Sequence, residues 1–221
     1  MQQKKRLDVI VSFIDEGASI ADIGSDHCYV PINAFNHRKI KFAQAIENKK
    51  GPYERMLREI QKANLGEEII PSLSNGLDEL SKKVDTLIIA GMGGRLIKEI
   101  LHKNENKLRN IETIIVDAHN DRPILISYLE SIGYHLTDND FFYEGKIAYD
   151  VMKWGRGKPQ KHYSEEEIFF GPLNLKKKED SWVEYWRKER ERIKNLLDLQ
   201  DLPIDDKIKY QKILDKINSV L

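Results

Sequence analysis

The sequence predicts an α/β fold in which a mostly parallel, seven-stranded sheet carries helices on both faces and a helical hairpin follows it. Strand-like and helical segments alternate as far as Gly133, a short connection then joins two more strand-like segments, and helical periodicity runs from about Asp180 onward. A chain of 221 residues with 40% hydrophobic content has room for one large core and a small appendage.

The alternation begins with a helix in which apolar residues recur at helical spacing from Leu7 to Ile14, followed by a strand from Ala18 to Gly24. The next predicted elements are, in order, strand 41–46, helix 53–63, strand 69–73, strand 84–90, helix 96–102, strand 111–116 and helix 123–132. This rhythm is typical of a parallel sheet covered by helices on both faces.

Beyond Gly133 the pattern changes to two strand-like segments, 134–143 and 146–154. Only Glu144 and Gly145 separate them, so they predict an antiparallel hairpin. A mostly parallel sheet that ends in one antiparallel hairpin is similar to the Rossmann-like class I methyltransferase fold and is less usual among dinucleotide dehydrogenases.

The last part of the chain predicts a linker and a coiled-coil hairpin. Residues 155–178 are rich in Gly, Pro, Lys and Glu without clear periodicity, and two helices are expected at about 180–199 and 204–221. We therefore divide the chain into a catalytic domain, 1–155, and a helical domain, 156–221. The apolar stripes of the two helices are Val183, Trp186, Arg190, Ile193 and Leu197, then Ile204, Ile208, Ile213, Ile217 and Leu221.

Composition limits the cellular setting. Basic and acidic side chains balance at 36 each, so any nucleic-acid site must be a local patch. Cys28 is the single cysteine, Met1 to Arg6 are charged with no apolar signal core behind them, and no apolar run is long enough to span a bilayer. We expect a cytoplasmic protein without a membrane partner.

The strongest local signal is the turn that follows the first predicted strand, from Asp22 to Pro31. In a G-x-G-x-x-G loop three glycines approach a pyrophosphate, but here only Gly24 is present, and Asp26 and Tyr29 occupy the other two positions. A carboxylate there would repel a diphosphate. S-adenosylmethionine carries a sulfonium and an ammonium group and no phosphate, so it suits this acidic loop better. A plain turn capped by Asp or Ser is the alternative.

Two further polar loops follow the second and third strands. Glu47 comes 23 residues after Gly24, close to the interval of about 20 residues at which an acidic side chain binds ribose hydroxyls. Asn75 and Gly76 follow the third strand, where an amide could contact an adenine edge. Each loop alone is also consistent with an ordinary solvated turn.

The loop after the fourth strand, Ala90 to Arg95, contains three glycines in four residues. It could bring backbone close to a ligand, but it lacks the Lys-Ser/Thr ending of a phosphate-binding P-loop. A tight strand-to-helix turn explains this segment equally well. All four loops nevertheless lie at the carboxyl ends of predicted parallel strands, where open α/β sheets bind ligands.

These motifs together resemble the bacterial tRNA adenine-22 N1-methyltransferases over nearly the whole chain. The resemblance rests on Asp22-Ile23-Gly24-Ser25-Asp26-His27 with Tyr29 and Pro31, Glu47 with Gly51-Pro52-Tyr53, Asn75-Gly76-Leu77 and Ala90-Gly91-Met92-Gly93-Gly94. It implies a class I methyltransferase domain, a C-terminal helical coiled coil, S-adenosyl-L-methionine as cofactor and tRNA as substrate.

We therefore expect the four loops to bind the cofactor, with Glu47 on the ribose hydroxyls; the predicted cofactor residues are Asp22, Gly24, Ser25, His27, Glu47, Asn75, Gly76, Ala90, Gly91 and Met92. Asp26 is the catalytic candidate, as a base, a stabiliser of the cationic product or merely a helix cap. The predicted substrate residues are Tyr29, Gly93, Arg95, Lys177, Arg187 and Arg190.

The tail carries 15 basic and 13 acidic residues from Arg156 onward, so only clusters can bind phosphates. Lys176–Lys178 and Arg187–Arg192 lie near Trp182 and Trp186, which suits phosphate contact and base stacking, although a solvated helix face over an aromatic seam explains them equally well.

The remaining expectations concern metal binding, the cysteine, the oligomeric state and two rival functions. His27 and His119 lie beside acidic residues without a metal-binding repeat, so we expect no metal. Cys28 is expected to be a small buried residue. A class I methyltransferase with another substrate and a non-catalytic RNA-binding protein with a decayed cofactor pocket are the rival functions, and we expect a monomer.

Overall fold

A computed structural model of the chain describes residues 6–38, 40–157, 159 and 161–221. The expectation about signal sequences used the charged segment from Met1 to Arg6. Positions 1–5 of that segment lie outside the described residues. In the described part of the chain, no helix is long and apolar enough to cross a membrane.

Within these residues seven strands form one sheet. They are β1 (Ser19–Ile23), β2 (Phe42–Glu47), β3 (Ile69–Leu73), β4 (Thr86–Met92), β5 (Thr113–Ala118), β6 (Tyr134–Glu144) and β7 (Ile147–Arg156). The strand order is β3-β2-β1-β4-β5-β7-β6. The sheet is mixed, because β1 to β5 pair in parallel whereas β7 runs antiparallel to both β5 and β6. The predicted α/β sheet with a terminal antiparallel hairpin is confirmed.

Helices cover both faces of the sheet. They are α1 (Arg6–Ser12), α2 (Tyr29–Arg38), α3 (Lys50–Lys62), α4 (Gly94–Lys103) and α5 (Arg122–Ser131). Alternate residues of the central strands point to opposite faces, as the pleat requires: Ile88 packs with α1, α2 and α3, whereas Leu87 and Ile89 pack with α4 and α5. The predicted run 84–90 begins two residues before the strand, since Val84 lies in the preceding turn.

The segment expected to be an irregular linker contains two short helices, α6 (Glu165–Phe170) and α7 (Pro172–Lys177). Ser164 caps α6 by accepting the backbone N–H of Glu167, whose carboxylate accepts the N–H of Ser164 in return. Six-residue helices show too few turns for periodicity to be recognised in the sequence, which is why this segment was wrongly expected to lack structure.

The tail helices α8 (Asp180–Leu197) and α9 (Ile204–Val220) pack against each other and form an apolar cluster that includes Phe141 of β6. Part of the predicted stripe is wrong: Ile204 and Ile208 are 76% and 51% exposed. Ile208 precedes the buried Ile217 by about two and a half turns, at roughly 3.6 residues per turn, and therefore lies on the opposite face.

The tail is also joined to the sheet by a buried polar network. The Asn139 amide donates to the Asn174 side-chain oxygen at 2.5 Å and to Asp150 at 3.2 Å, and the Asn174 amide donates to Asp150 at 2.9 Å. Burial raises the pKa of Asp150, and the hydrogen bonds and Arg122 oppose that increase. The tail therefore docks on the β6–β7 hairpin through polar as well as apolar contacts.

Candidate functional site

The first loop leaves the sheet at Gly24, whose φ is 79°. The backbone N–H groups of Gly24 and Ser25 donate to the carbonyl of Ile46 at 2.8 and 3.1 Å, which fixes the turn to the end of β2. A side chain at position 24 would be strained in this left-handed conformation and would also collide with Met92. The positive φ favours glycine here, and any side chain would also force the flexible end of Met92 to move.

Asp22 lies at the base of this turn and is only 7% exposed. Its Oδ2 accepts a hydrogen bond of 2.5 Å from the Ser25 hydroxyl. Burial raises the pKa of Asp22 to about 6, with Glu47 adding to the increase and with Ser25 and Arg6 opposing it. At neutral pH the loop therefore holds a buried, mostly ionised carboxylate that a cationic ligand would stabilise.

Glu47 ends β2 and joins the second loop to the third. Its Oε1 accepts the backbone N–H groups of Asn48 and Lys49 at 2.9 and 3.0 Å, and its backbone carbonyl accepts the N–H of Ser74 at 2.9 Å. These bonds fix the orientation of a buried carboxylate. Its Oε2 makes neither of these loop hydrogen bonds and can accept from a ligand.

The glycines of the fourth loop make room for neighbouring protein groups. Gly91 has φ of 80°, and a Cβ there would lie 2.8 Å from Nη2 of Arg6. A Cβ at Gly93 would lie 2.8 Å from the side-chain oxygen of Asn120, and one at Gly94 would lie 2.6 Å from the carbonyl of Asp121. Close packing against other loops thus accounts for these glycines without any ligand.

A cleft of about 340 Å³, which we call the Glu47 cleft, opens between the first, second and third loops. The predicted site residues that line it are Gly24, Asp26, Glu47, Asn75, Gly76 and Met92. Ile23, Ile46, Leu96 and Ile100 give it apolar surface. An apolar slot with one fixed carboxylate is suited to a nucleoside, whose base prefers apolar surface and whose ribose supplies hydroxyl donors.

A second cleft of about 490 Å³, the Arg6 cleft, lies on the other side of the turn. The predicted site residues that line it are Asp22, Gly24, Ser25, Asp26, His27, Tyr29 and Ala90. Arg6, Glu144 and Tyr149 complete it from α1 and the β6–β7 hairpin. The two clefts share Gly24 and Asp26, so a ligand in the first can present a group to the second.

Asp26 is held by Arg55 of α3. The Nε and Nη2 atoms of Arg55 lie 2.9 and 2.8 Å from Oδ1 of Asp26, while Nε2 of His27 lies 3.7 Å from Oδ2. The Asp26 side chain is 44% exposed. Its described hydrogen bonds therefore go to an arginine rather than to the N–H groups of a helix, which argues against a capping role.

His27 and Tyr29 form a stacked pair at the mouth of the Arg6 cleft, with ring centroids 5.1 Å apart and planes inclined by 12°. Tyr29 is 51% exposed. An exposed ring supported by a second ring is a suitable surface for an unstacked base. The structure therefore places Tyr29 where a substrate base could reach it.

Other predicted residues lie away from the two clefts. Gly91, Gly93 and Arg95 line neither cleft, and Arg95 pairs with Asp121 at 3.3 Å. In the tail, Lys177 binds Asp138 and the carbonyl of Asn139 at 3.3 and 2.8 Å.

The other two predicted tail cations differ in exposure and in ion pairing. Arg190 lies 3.4 Å from Glu191 and has a buried Nε, whereas Arg187 is exposed and has no ion pair among the described residues. Only Arg187 of the three predicted tail cations is thus unpaired there.

Base stacking by the tail tryptophans is not supported by their positions. Trp182 is 1% exposed and donates from Nε1 to the Phe170 carbonyl at 3.2 Å. Trp186 packs on Phe169 and Phe170 with ring centroids 5.5 and 4.8 Å apart. Both rings belong to the aromatic core of the tail because α6 supplies their partners.

Sequence reasoning missed four residues around the Arg6 cleft: Arg6, Arg55, Glu144 and Tyr149. None follows one of the four strands that signalled the loops, so no motif pointed to them. The expectation for Cys28 is confirmed, since it is 1% exposed and burial raises its pKa. Among the described residues no three His, Cys, Asp or Glu side chains cluster as a metal site would require.

This strand order, the reversed seventh strand and two clefts that meet at the first loop define a class I S-adenosylmethionine-dependent methyltransferase. Residues 20–221 match the family model TrmK, described as tRNA (adenine(22)-N(1))-methyltransferase. The chain belongs to this family.

Relatives of known name agree with this assignment. The tRNA (adenine(22)-N(1))-methyltransferase of Bacillus subtilis (strain 168) is 28% identical over 218 residues, covering 96% of this chain and 92% of that protein. Streptococcus pneumoniae Sp1610 in complex with S-adenosyl-L-methionine is 30% identical with a TM-score of 0.91, covering 100% of both chains. M. capricolum TrmK in complex with S-adenosyl-homocysteine is 25% identical with a TM-score of 0.83, covering 99% of this chain and 97% of that one.

Proposed function

We propose that this chain methylates N1 of adenine 22 in tRNA with S-adenosyl-L-methionine as the methyl donor. The observation that carries the proposal is the junction of the Glu47 and Arg6 clefts at Gly24 and Asp26, which gives a nucleoside slot and an acceptor site side by side. Membership of the TrmK family supplies the identity of the substrate.

The residues of the Glu47 cleft fit the cofactor. Ser74 lines this cleft, and its hydroxyl is buried without a hydrogen-bond partner among the described residues, as expected where a polar ligand completes the site. We assign Glu47 to the ribose hydroxyls and Asn75 with Gly76 to the adenine. Asp22 and Ser25, which line the adjoining Arg6 cleft beside Gly24, are assigned to the ammonium end. Bound there, the cofactor supplies a methyl group on a sulfonium.

Four more residues are assigned to the cofactor site. His27, Ala90, Gly91 and Met92 complete the proposed cofactor site, and the Met92 side chain lies against Gly24 at the edge of the Glu47 cleft.

Asp26 is the proposed catalytic residue. The N1 atom of adenine is unprotonated near neutral pH, so alignment matters more than a strong base, and methylation leaves a cationic ring. A carboxylate that lines both clefts can stabilise that cation, and Arg55 holds it in place. Asp26 thereby acts as an electrostatic stabiliser rather than as a helix cap.

The substrate residues are proposed in two groups. Tyr29 contacts the extruded base, because N1 is blocked in a paired helix and the base must leave its stack. Gly93 and Arg95, which line neither cleft, contact the neighbouring nucleotides. Lys177, Arg187 and Arg190 contact the tRNA backbone from the tail. We further propose residues 1–155 as the catalytic domain and 156–221 as the linker and helical domain, with the boundary at the last residue of β7.

Finer structural and cellular properties complete the proposal. The tail forms an antiparallel coiled-coil hairpin, supported by the packing of α8 on α9. We also propose a cytoplasmic location. A monomer is supported by Ile193, Leu214 and Ile217, which are already buried within one chain.

The test is to incubate the protein with labelled S-adenosylmethionine and two tRNA transcripts, one with adenine and one with guanine at position 22. Mapping by mass spectrometry should find N1-methyladenine at position 22 of the first transcript alone. Methylation at another position, or equal labelling of both transcripts, would overturn the proposal.

Glu47→Gln provides the cofactor test, with Glu54→Gln on the exposed surface of α3 as its matched control. Loss of a charge-assisted bond should weaken cofactor binding by about 1.5 to 3 kcal/mol in titration calorimetry. An unchanged dissociation constant in Glu47→Gln would remove Glu47 from the ribose site.

A further inference from the structure

Part of the Arg6 cleft is built by elements outside the four strand-end loops. Arg6 comes from α1, and Glu144 and Tyr149 come from the β6–β7 hairpin. The cofactor assignments above use none of these side chains. The contacts that these elements make with Arg6 therefore call for a separate explanation.

Arg6 is held through both its side chain and its backbone. Its Nε lies 2.5 Å from Oδ2 of Asp117, and its centre lies 5.5 Å from the ring centroid of Tyr149. The backbone N–H of Arg6 donates to Glu144 at 3.1 Å, and the absence of a side chain at Gly91 leaves room for Nη2. The Arg6 side chain is still 29% exposed, so its outer nitrogens remain reachable from the cleft.

Asp117 is an unusual partner for a structural ion pair. It is 1% exposed, and its Oδ1 is buried without a hydrogen-bond partner among the described residues. A buried pair with an unsatisfied oxygen contributes little to stability, because desolvation offsets the Coulombic attraction. Such an arrangement is better explained by the need to hold Arg6 in one orientation at the cleft.

We propose that Arg6 recognises the extruded adenine by donating to a ring nitrogen, N3 or N7, and that Asp117 is the positioning residue for Arg6. This inference rests on the function proposed above. When N1 faces the methyl donor, N3 and N7 remain as acceptors on the base, whereas arginine is only a donor. Since Asp117 takes Nε, the two outer nitrogens of Arg6 are the available donors.

The charge of the pair also suits the product. An isolated arginine would repel the methylated, cationic base, but the carboxylate of Asp117 at 2.5 Å offsets the positive charge. Arg6 can therefore supply hydrogen-bond donors without a large net charge at the site. Lysine would carry the same charge but lacks the planar pair of outer nitrogens.

The experiment uses tRNA carrying 3-deazaadenosine or 7-deazaadenosine at position 22, since each analogue lacks one acceptor nitrogen. The full-length protein is compared with Arg6→Lys and with the double variant Arg6→Met/Asp117→Asn, which avoids leaving a buried carboxylate unpaired. Lys103→Met, which removes a surface pair with Asp78, is the control. We expect one analogue to lower kcat/KM of the unaltered protein by at least about tenfold.

The double variant should have a lowered kcat/KM for natural tRNA, and the same analogue should not lower it further. The cofactor affinity of the double variant at pH 7.5 and its melting temperature should stay close to those of the control. Arg6→Lys should resemble the double variant.

The inference is overturned if the unaltered protein methylates both analogues as well as natural tRNA, or if the double variant loses as much with an analogue as the unaltered protein does. Failure of the unaltered protein to methylate natural tRNA at position 22 would instead refute the proposed function.

Discussion

Arg55 binds Asp26 with two nitrogens that converge on one oxygen, Oδ1, at 2.9 and 2.8 Å. The second oxygen of Asp26 lies 3.7 Å from His27 and remains open to the clefts. The pair is about half exposed, so solvent screens its attraction and its effect on stability is small. Its importance lies in holding the carboxylate at the junction.

This relationship predicts a non-additive effect on the rate of methyl transfer. Asp26→Asn should lower the single-turnover rate on saturating tRNA about 10- to 100-fold, because the cationic product loses its stabilising charge. Arg55→Ala should lower it less and should add nothing in the Asp26→Asn background. Glu59→Gln, which only breaks a pair with Lys62 on α3, is the control. Additive losses would mean that the two residues act independently.

Asp22 predicts a pH dependence of cofactor binding. Its pKa is raised to about 6, mainly by burial, so the fraction ionised falls as the pH falls through that value. Only the carboxylate form attracts the ammonium group, so affinity should be full near pH 7 and should fall towards pH 5 by up to about tenfold per unit. Calorimetry across this range tests it. Asp22→Asn should bind weakly with a flat profile, and an equally steep decline in that variant would contradict the assignment.

Alanine substitutions at Gly24 and Gly133 separate the destabilisation caused by backbone strain from that caused by a steric clash. Both have positive φ, 79° and 86°, but a Cβ at Gly133 meets nothing within 4 Å, whereas one at Gly24 meets Met92. Gly133→Ala should cost only the backbone term of about 1 kcal/mol. Gly24→Ala should lower the melting temperature further and should also weaken cofactor binding. Equal melting temperatures for the two variants would show that Met92 simply moves aside.

Of the three predicted tail cations, Arg187 is the one best placed for tRNA, since it is exposed and has no ion pair among the described residues. Arg187→Ala should weaken tRNA binding and reduce the salt slope by about 0.7 to 0.9 if one phosphate contact is lost. Lys194→Ala serves as the control, because Lys194 pairs with Glu191 on the same helix. If both variants keep the original slope, the tail contacts tRNA elsewhere or has another purpose.

The four loops could be predicted because topology alone brings them together. Residues such as Gly24 and Glu47 follow parallel strands, and the carboxyl ends of such strands share one edge of the sheet. Arg6 could not be found in this way. Its partner Asp117 is 111 positions away, and neither residue stands in a pattern that indicates the other.

The tail shows a different limit of sequence reasoning. Basic and aromatic residues around Trp182 and Trp186 are equally suited to RNA or to a core, and only their neighbours decide between the two. Those neighbours, Phe169 and Phe170, lie in a segment that showed no periodicity. Without the short helix α6, the burial of the two tryptophans could not be inferred.

The β6–β7 hairpin fixes the distance between the Arg6 cleft and the tail. Glu144 at its tip borders the Arg6 cleft, whereas Asn139, five positions back on β6, joins the tail. At about 3.3 Å per residue these two points are roughly 17 Å apart on a paired, inextensible strand. If the tail binds the body of the tRNA, as proposed above, this fixed spacing requires that the target base lie at a set distance from the bound part of the RNA, and a change in hairpin length should shift or abolish modification.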